Sequence, residues 1–312
     1  MLNKVCNFLK EKDNFLILTH RSPDGDTLGS GYALFFGLKQ LGKKARVICG
    51  DEIPEKYSYF TAPATMDLIE NPTVIAVDIA NTGLLGSLGN EFKNKVELSI
   101  DHHKTNTNYA KLNFVDDSYS SNCEIIYKIL LELGVNITKV MAEALYTGIS
   151  TDTGCFKFVN TTANTHRIAA KLMDMGINSA KIDRIMFDTK SVNRIELEKI
   201  AYQNLELYKN NKIAVVAINK SEFLETGCVD DDFNGITTIA RSVEGVQVAA
   251  TMRELDDGTV KVSIRTFNNI DAALFCKQFG GGGHFGAAGC EIKGDLYNAK
   301  QLIINAAKKV IL

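Results

Sequence analysis

Short runs of apolar residues alternate with amphipathic stretches through the first half of the chain, a rhythm typical of βαβ units. Four of these runs are brief and rich in Ile, Val and Leu, which favours buried parallel strands at residues 15–18, 46–49, 74–77 and 96–100. Longer stretches with helical spacing predict helices at residues 28–41, 124–133 and 162–175. The pattern therefore predicts an α/β domain built on a parallel sheet.

The second half has a different pattern. It predicts a strand at 212–218, a hairpin of strands 246–254 and 259–267 around Asp257-Gly258, and helices at 272–279 and 296–310. Residues 191–209 are polar and contain no Gly or Pro, which favours a connecting helix. Because chains beyond about 250–300 residues usually divide, we predict a first domain at 1–190, the connecting helix at 191–209 and a second domain at 210–312.

Composition narrows the class of protein. The chain has 312 residues, 45% of them hydrophobic and 23% charged, with a net charge of −2. This net charge predicts no general electrostatic attraction to long nucleic acid, so any phosphate recognition must come from a local group of residues. Seven cysteines without a C-x-x-C pair favour a reduced protein. The N-terminus is too polar for a signal peptide, and no apolar run approaches the roughly 18 residues of a membrane helix. We expect a soluble, cytoplasmic protein that does not associate with membranes.

Acidic residues and histidines collect where predicted strands end. Strand 15–18 is followed by His20, Asp24 and Asp26, strand 74–77 by Asp78, and strand 96–100 by Asp101, His102 and His103. A further acidic residue, Asp152, lies where a buried-looking helix gives way to a loop. In open α/β sheets ligands bind outside the carboxyl ends of the strands, so we expect these side chains to meet at one edge.

Taken singly, each of these motifs also fits ordinary structure. Asp24-Gly25-Asp26 could form a turn, Asp78 could cap a helix, and Asp101-His102-His103 could be a solvated loop. Together they favour a metal centre, because clustered carboxylates repel one another unless cations neutralise them. Mixed Asp and His ligands suit Mn²⁺ or a similar divalent ion. Two such ions about 3.5–4 Å apart can clamp the oxygens of a phosphoryl displacement.

These residues resemble the motifs of the DHH phosphoesterase superfamily. His20-x-x-x-Asp24-x-Asp26, Asp78, Asp101-His102-His103 and Asp152 match its four N-terminal motifs. Gly280–Gly283 with His284, followed by Ala287-Ala288-Gly289, resembles its DHH-associated domain. Size and domain content favour the nano-RNase and pAp-phosphatase branch, the bifunctional oligoribonucleases. RecJ-type exonucleases carry an extra domain, and family II inorganic pyrophosphatases a basic Ser-Arg-Lys-Lys segment, that this sequence lacks.

The resemblance implies a fold and a metal centre. The fold is α/β, with an N-terminal parallel-sheet DHH domain, a smaller α/β C-terminal DHH-associated domain, and the active site in the cleft between them. The cofactor is a pair of Mn²⁺ ions, with Mg²⁺ or Co²⁺ as substitutes. The implied ligands are His20 and Asp24 for one ion, Asp26 and His102 for the other, and Asp78 and Asp152 shared between them.

The resemblance also implies roles beyond the ligands. Asp101 orients His102 through its free ring nitrogen, and His103 faces the scissile phosphate or acts as general acid. In the second domain, Arg265 and Ser263 contact phosphate, Arg253 supports them, and Gly281, Gly282, Gly283 and His284 form a backbone cradle, which a following helix N-terminus would strengthen. The alternatives are exposed strand-face arginines and a flexible glycine turn.

Two positions depart from the family pattern: Leu84-Leu85 and Phe285-Gly286 stand where members often carry basic residues. We therefore expect hydrolysis of short oligoribonucleotides and linear dinucleotides to mononucleotides, and of 3′-phosphoadenosine 5′-phosphate (pAp) to AMP. The partners are short single-stranded RNA or small nucleotides rather than long duplexes, and a homodimer is compatible with this. The alternatives are a phosphatase or pyrophosphatase for other small phosphate compounds, or a nucleotide-binding regulator without catalysis.

Overall fold

The computed structural model describes residues 1–233 and 235–311. They form two compact units, Met1–Thr189 and Lys190–Leu312. Residue 312, the last residue of the predicted second domain, lies outside the described residues. Among the described helices, none is both long and apolar enough to cross a bilayer.

The first unit alternates strands with helices, as its sequence predicted. Its strands are β1 (Phe15–Leu18), β2 (Ala45–Ile48), β3 (Thr73–Val77), β4 (Val96–Asp101) and β5 (Leu112–Val115). Its helices are α1 (Leu2–Glu11), α2 (Gly25–Gln40), α3 (Ser58–Thr61), α4 (Gly89–Phe92), α5 (Asn122–Glu132), α6 (Lys139–Asp152), α7 (Ala163–Asp174) and α8 (Ser179–Asp183). The four predicted strands and three predicted helices are confirmed, and β5 is an additional strand.

The five strands form one parallel sheet in the order β2-β1-β3-β4-β5. Its strands are apolar without interruption because both faces are covered. In β1, Phe15 and Ile17 belong to the main core with α2, α5 and α6, whereas Leu16 and Leu18 pack with Ile79, Leu85 and Phe92 on the other face. The prediction of an α/β fold with a parallel N-terminal sheet is confirmed.

The second unit is built on a mixed sheet. Its strands are β6 (Leu205–Tyr208), β7 (Ile213–Ile218), β8 (Val248–Glu254), β9 (Thr259–Thr266), β10 (Gly282–His284) and β11 (Ala287–Lys293). Its helices are α9 (Val192–Gln203), α10 (Lys220–Glu225), α11 (Thr237–Arg241), α12 (Ala272–Lys277) and α13 (Leu296–Val310). The strand order is β10-β11-β9-β8-β7-β6, and within the described part of this second sheet only β7 and β8 pair in parallel.

The predicted connecting helix at 191–209 is too long. Helix α9 ends at Gln203, and residues 205–208 form the edge strand β6, paired antiparallel with β7. The turn between them places Lys209, Asn210 and Asn211 at positive φ angles of 52°, 53° and 62°. Asparagine tolerates this left-handed conformation better than most residues. The Asn210-Asn211 pair, which directly follows the predicted helix, therefore marks the turn although it contains neither Gly nor Pro.

The glycine-rich segment also differs from its prediction. It does not lead into a helix: Gly282–His284 form strand β10, which pairs with β11 in a hairpin. A Cβ at Gly281 would lie 2.2 Å from the carbonyl oxygen of Gly289, and one at Gly283 would lie 2.5 Å from that of Ala287. Both glycines are therefore required for close packing between the two strands, and no helix N-terminus follows to strengthen a phosphate cradle.

Truncating Phe275 should destabilise the second unit. Phe275 is 2% exposed in the core beneath α12 and α13, whereas its neighbour Leu274 is 67% exposed. We expect Phe275→Ala to cost about 3–5 kcal/mol, because it leaves a cavity. Leu274→Ala should change stability by about 0.5 kcal/mol or less. Chemical denaturation followed by circular dichroism checks this, and equal losses for both variants would contradict the assigned core.

Candidate metal centre and substrate-binding face

The clustered acidic residues and histidines of the first unit reach one edge of its sheet because each follows a strand or lies at an end of a helix. His20 follows β1, Asp78 follows β3 at a positive φ of 59°, and Asp101 is the last residue of β4. Asp24 caps the N-terminus of α2, where its Oδ1 accepts hydrogen bonds from the backbone N–H groups of Asp26 (3.0 Å) and Thr27 (3.1 Å). Asp152 is the last residue of α6.

One group of possible metal ligands consists of His20, Asp24 and Asp78, whose ligand atoms lie within 4.8 Å of one another. The Nε2 atom of His20 is 3.5 Å from Oδ1 of Asp24 and 3.7 Å from Oδ2 of Asp78. The Nδ1 atom of His20 lies 2.8 Å from the carbonyl oxygen of Arg21. Because that oxygen can only accept, Nδ1 carries the proton and Nε2 presents its lone pair to the group.

A second group consists of Asp26, His102 and Asp152. The Nε2 atom of His102 is 3.7 Å from Oδ2 of Asp26, 3.6 Å from Oδ2 of Asp152 and 3.5 Å from Oδ1 of Asp78. Asp78 therefore faces His102 with one oxygen and His20 with the other. A carboxylate with an oxygen directed at each group has the geometry of a bridging ligand.

Asp101 does not orient His102 in the predicted way. The His102 ring points Nδ1 at the carbonyl oxygen of Tyr119, 3.4 Å away. The buried Asp101 carboxylate instead accepts a hydrogen bond from Nδ1 of His103 at 2.8 Å and from Nδ2 of Asn106 at 2.6 Å. Asp101 therefore fixes the ring of the half-exposed His103 and leaves its Nε2 atom available. Sequence reasoning missed Asn106 and Tyr119, since neither contact has a local sequence signal.

Asp26 is held by the start of helix α5. Its buried carboxylate accepts hydrogen bonds from the backbone N–H groups of Asn122 (2.6 Å) and Cys123 (2.9 Å). The positive end of the helix dipole also favours an anion at this position. Ser121 caps this helix, and sequence reasoning did not find that the helix start would hold a carboxylate 96 residues away in sequence.

Three of the four carboxylates in these groups, Asp26, Asp78 and Asp152, resist ionisation in the protein alone, whereas the pKa of Asp24 is lowered. Burial, followed by repulsion from Asp24, raises the pKa of Asp26 to about 6, and burial with repulsion from Asp26 raises the pKa of Asp152 to about 7. The pKa of Asp78 lies well above its ordinary value because it is fully buried and faces Asp26 and Asp24. Each upward shift reflects uncompensated negative charge, which a bound cation would compensate.

The donor set fits divalent cations. Oδ1 of Asp78 and Nε2 of His102 are buried and, within the described part of the chain, form no hydrogen bond with any group. Buried polar atoms normally find a partner. Two unpartnered ligand atoms, both directed into a cluster of carboxylates and imidazoles, are those that a hard or borderline metal ion would satisfy.

The candidate substrate residues of the second unit share one face of its sheet. Strand register aligns His284 with Ala287, Arg265 and Ala249 in one row, and Gly282 with Gly289, Ser263 and Thr251 in the next. Directly opposed residues of antiparallel strands point to the same side. A cavity of about 370 Å³ is lined by Lys261, Ser263, Gly280 and Gly289 among others.

Arg265 has the properties of an anion-binding residue. It is half-buried, and its Nη1 atom donates to the carbonyl oxygen of Ile264 at 3.0 Å. Burial, and then repulsion from Arg241 on α11, lowers the pKa of its guanidinium. An anion placed between two arginines relieves that repulsion. Arg241 thus joins Arg265 as a candidate phosphate contact.

Arg253 differs from Arg265 and from an exposed strand-face arginine. It is 3% exposed, and its guanidinium lies 4.3 Å from the ring centroid of Phe223 and 5.2 Å from that of Phe233. It lines a separate cavity of about 540 Å³ together with Phe223 and Leu224. These contacts support a structural contribution through cation–π packing.

Comparisons with known proteins show the family of this chain. Residues 14–149 match the N-terminal domain of the DHH family, and residues 210–311 match the DHHA1 domain. The bifunctional oligoribonuclease and PAP phosphatase NrnA of Thermus thermophilus is 32% identical over 300 residues, covering 94% of this chain and 89% of that protein. The chain belongs to the DHH family. The protein of the same name from Bacillus subtilis is 28% identical, covering 94% of this chain and 93% of its own length.

The DHH fold is also found in a crystal structure of an exopolyphosphatase-related protein from Bacteroides fragilis. It superposes with a TM-score of 0.88 at 24% identity, covering 99% of this chain and 95% of that one. Members of the DHH family are metal-dependent phosphoesterases. The resemblance inferred from the sequence motifs is thereby confirmed.

Removing the Asp78 charge should abolish metal binding without weakening the fold. Mn²⁺ at about one hundred times its Kd should stabilise the wild-type protein by about 2.7 kcal/mol. In Asp78→Asn this stabilisation should disappear, while the metal-free variant should be at least as stable as the metal-free wild type, because one buried charge is gone. Thermal unfolding with and without Mn²⁺ measures both effects.

The matched control is Asp117→Asn, which removes an exposed carboxylate in the same unit. Its stability and response to Mn²⁺ should equal those of the wild type. A full Mn²⁺ response in Asp78→Asn would contradict the bridging position.

Proposed function

We propose that this DHH-family chain hydrolyses short oligoribonucleotides and linear dinucleotides to mononucleotides, and pAp to AMP. The observation that supports this best is the placement of Asp78, with one oxygen toward His20 and the other toward His102. Two adjacent cation sites that share a carboxylate suit in-line displacement at phosphorus. The relatives named as bifunctional oligoribonucleases and PAP phosphatases support the choice of substrate class.

In this proposal, His20 and Asp24 would hold one divalent ion, Asp26 and His102 the other, and Asp78 would be shared. Asp152, which the resemblance implied to be shared, is grouped with Asp26 and His102 and is assigned to their ion. Mn²⁺ is the ion favoured by the mixed carboxylate and imidazole donors, with Mg²⁺ or Co²⁺ as substitutes. The bound ions supply charge neutralisation for the phosphate oxygens and lower the pKa of a water molecule.

His103 is the residue we assign to the leaving oxygen. Asp101 keeps the Nδ1 proton of His103 in a 2.8 Å hydrogen bond and raises the pKa of the ring, so that Nε2 can hold a proton. A proton delivered from Nε2 to the departing ribose oxygen prevents the build-up of an alkoxide. Asn106 and the two backbone N–H groups that bind Asp101 keep this pair in place.

In this proposal, residues of the second unit bind the substrate. Arg265, Ser263 and His284 occupy one sheet face. In the glycine segment, a Cβ would meet open space at Gly280 and at Gly282. These groups provide a short phosphate-binding surface, with Gly281 and Gly283 shaping it and Arg253 supporting the strand from its packed position. A phosphatase for other small phosphate compounds remains the alternative enzyme.

Removing Arg265 or His284 should impair nucleotide substrates selectively. Arg265→Ala and His284→Ala should lower kcat/KM for a dinucleotide by about tenfold or more, the loss of one charge-assisted contact. Hydrolysis of bis-(p-nitrophenyl) phosphate should be nearly unchanged, because that substrate has no second phosphate to hold. Steady-state kinetics on both substrates measures this difference.

The control is Lys277→Ala, an exposed basic residue on α12, which packs against the opposite face of the sheet. It should leave both activities unchanged. Equal losses on the two substrates in Arg265→Ala would instead place Arg265 in the chemistry.

Catalytic efficiency should depend sharply on substrate length. The chain has 35 basic and 37 acidic residues, and no basic track favours an extended strand. We expect kcat/KM to peak at roughly two to five nucleotides and then fall, since only a few phosphates can be held. The measurement uses Mn²⁺ with 5′-labelled RNAs of two to about twenty nucleotides, alongside pAp and pyrophosphate. A rise in kcat/KM out to twenty nucleotides would favour a RecJ-like exonuclease.

A further inference from the structure

We propose that Phe158 is a base-stacking residue, whose ring lies against the nucleobase of the nucleotide bound next to the metal centre. The inference rests on the proposed function and adds a determinant of specificity to it. It would make the enzyme select nucleotides over phosphate compounds without a base, with little preference among the four bases. Stacking has this property because every nucleobase offers a π-face.

Phe158 lies on a loop that is tied directly to the metal centre. The loop follows Asp152, the last residue of α6, and ends where α7 begins. Asn160 donates from Nδ2 to the carbonyl oxygens of Asp152 (3.1 Å) and Ser120 (3.0 Å). This amide therefore connects the loop to the backbone of a candidate ligand and fixes the distance between them.

The backbone of this loop is held in an unusual conformation. Gly154, Cys155 and Phe156 have consecutive positive φ angles of 56°, 56° and 62°, a costly arrangement for the two residues that bear a Cβ. Hydrogen bonds from Phe158 N–H to Thr153 (3.0 Å) and from Thr161 N–H to the Phe158 carbonyl (3.1 Å) hold it closed. Phe158 is thus presented by a preorganised turn, which reduces the entropy lost on binding.

The ring of Phe158 has one covered side and one open side. It packs so closely on Gly154 that a Cβ at that position would lie 2.4 Å from Cζ of the ring. Even so, the side chain is 50% exposed. A flat aromatic surface supported from behind by backbone and open in front is the geometry that a stacked base requires.

An exposed aromatic residue alone would not justify this inference, because single exposed apolar side chains are common. Tyr297, 67% exposed on helix α13, is an example. Phe158 differs in two independent respects: its ring occupies a space that only glycine leaves open, and its loop is hydrogen-bonded to the residue that ends α6 at the metal cluster.

The test compares a dinucleotide with the same dinucleotide made with abasic ribose at both positions. We expect Phe158→Ala to lower kcat/KM for the intact dinucleotide by about ten- to a hundredfold, mostly through KM, as loss of a base–aromatic stack implies. Hydrolysis of the abasic substrate should change by less than about twofold. Phe158→Trp should restore the wild-type difference between the two substrates.

Two further variants control for folding and for nonspecific effects. Phe158→Leu keeps an apolar side chain against Gly154 but has no π-face, so it should lose most of the preference for the intact dinucleotide while retaining thermal stability. Tyr297→Ala removes a more exposed aromatic ring from α13, which packs on the core side of the second sheet, and should behave as wild type.

The outcomes distinguish this inference from the proposed function. If the wild type hydrolyses the intact dinucleotide and Phe158→Ala and Phe158→Leu both match it, Phe158 does not stack and the proposed function stands. Equal losses on the intact and abasic substrates would likewise overturn stacking. If the wild type hydrolyses neither dinucleotide nor pAp, both are wrong.

Discussion

Mutual repulsion among buried carboxylates is the constraint on which the first unit depends. Asp26 and Asp78 are almost fully buried, and Asp24 and Asp152 lie close enough to raise their pKa values. A protein alone gains nothing from this arrangement, since each buried negative charge costs free energy without a counterion. The fold therefore gives up stability at this edge of the sheet, which bound cations would recover.

Strand order explains how distant segments reach this edge. Strands β1, β3 and β4 are neighbours in the sheet, and parallel neighbours lie about 4.8 Å apart with their carboxyl ends aligned. The residues that follow them therefore meet without long side chains, which suits the short reach of aspartate. The left-handed backbone of Asp78 and the N–H groups at the start of α5 complete the arrangement by directing individual carboxylates.

The sequence predicted what depends on local pattern and missed what depends on distant partners. Apolar runs located four of the five strands of the first sheet, and the ends of three of these runs located most of the acidic cluster. The pairing of Asp101 with His103 rather than His102 depends on where the Tyr119 carbonyl lies. Arg253 is buried because Phe223 and Phe233, on other elements, enclose it. Neither contact produces a periodic pattern in the sequence. The pairing of β10 with β11 likewise depends on close packing between strands, which the glycines allow.

Few charged contacts and one base stack would together determine the affinity for substrate. In the proposed function, one base stack would contribute about 1–3 kcal/mol, and a charged hydrogen bond from Arg265 to phosphate about 1.5–3 kcal/mol. Because association itself costs free energy, a few such contacts correspond to weak rather than tight binding. Weak binding of this kind would let mononucleotide products dissociate quickly, whereas a long row of basic residues would retain them. An enzyme for very short substrates can therefore combine the absence of a basic excess with a single aromatic ring for base stacking.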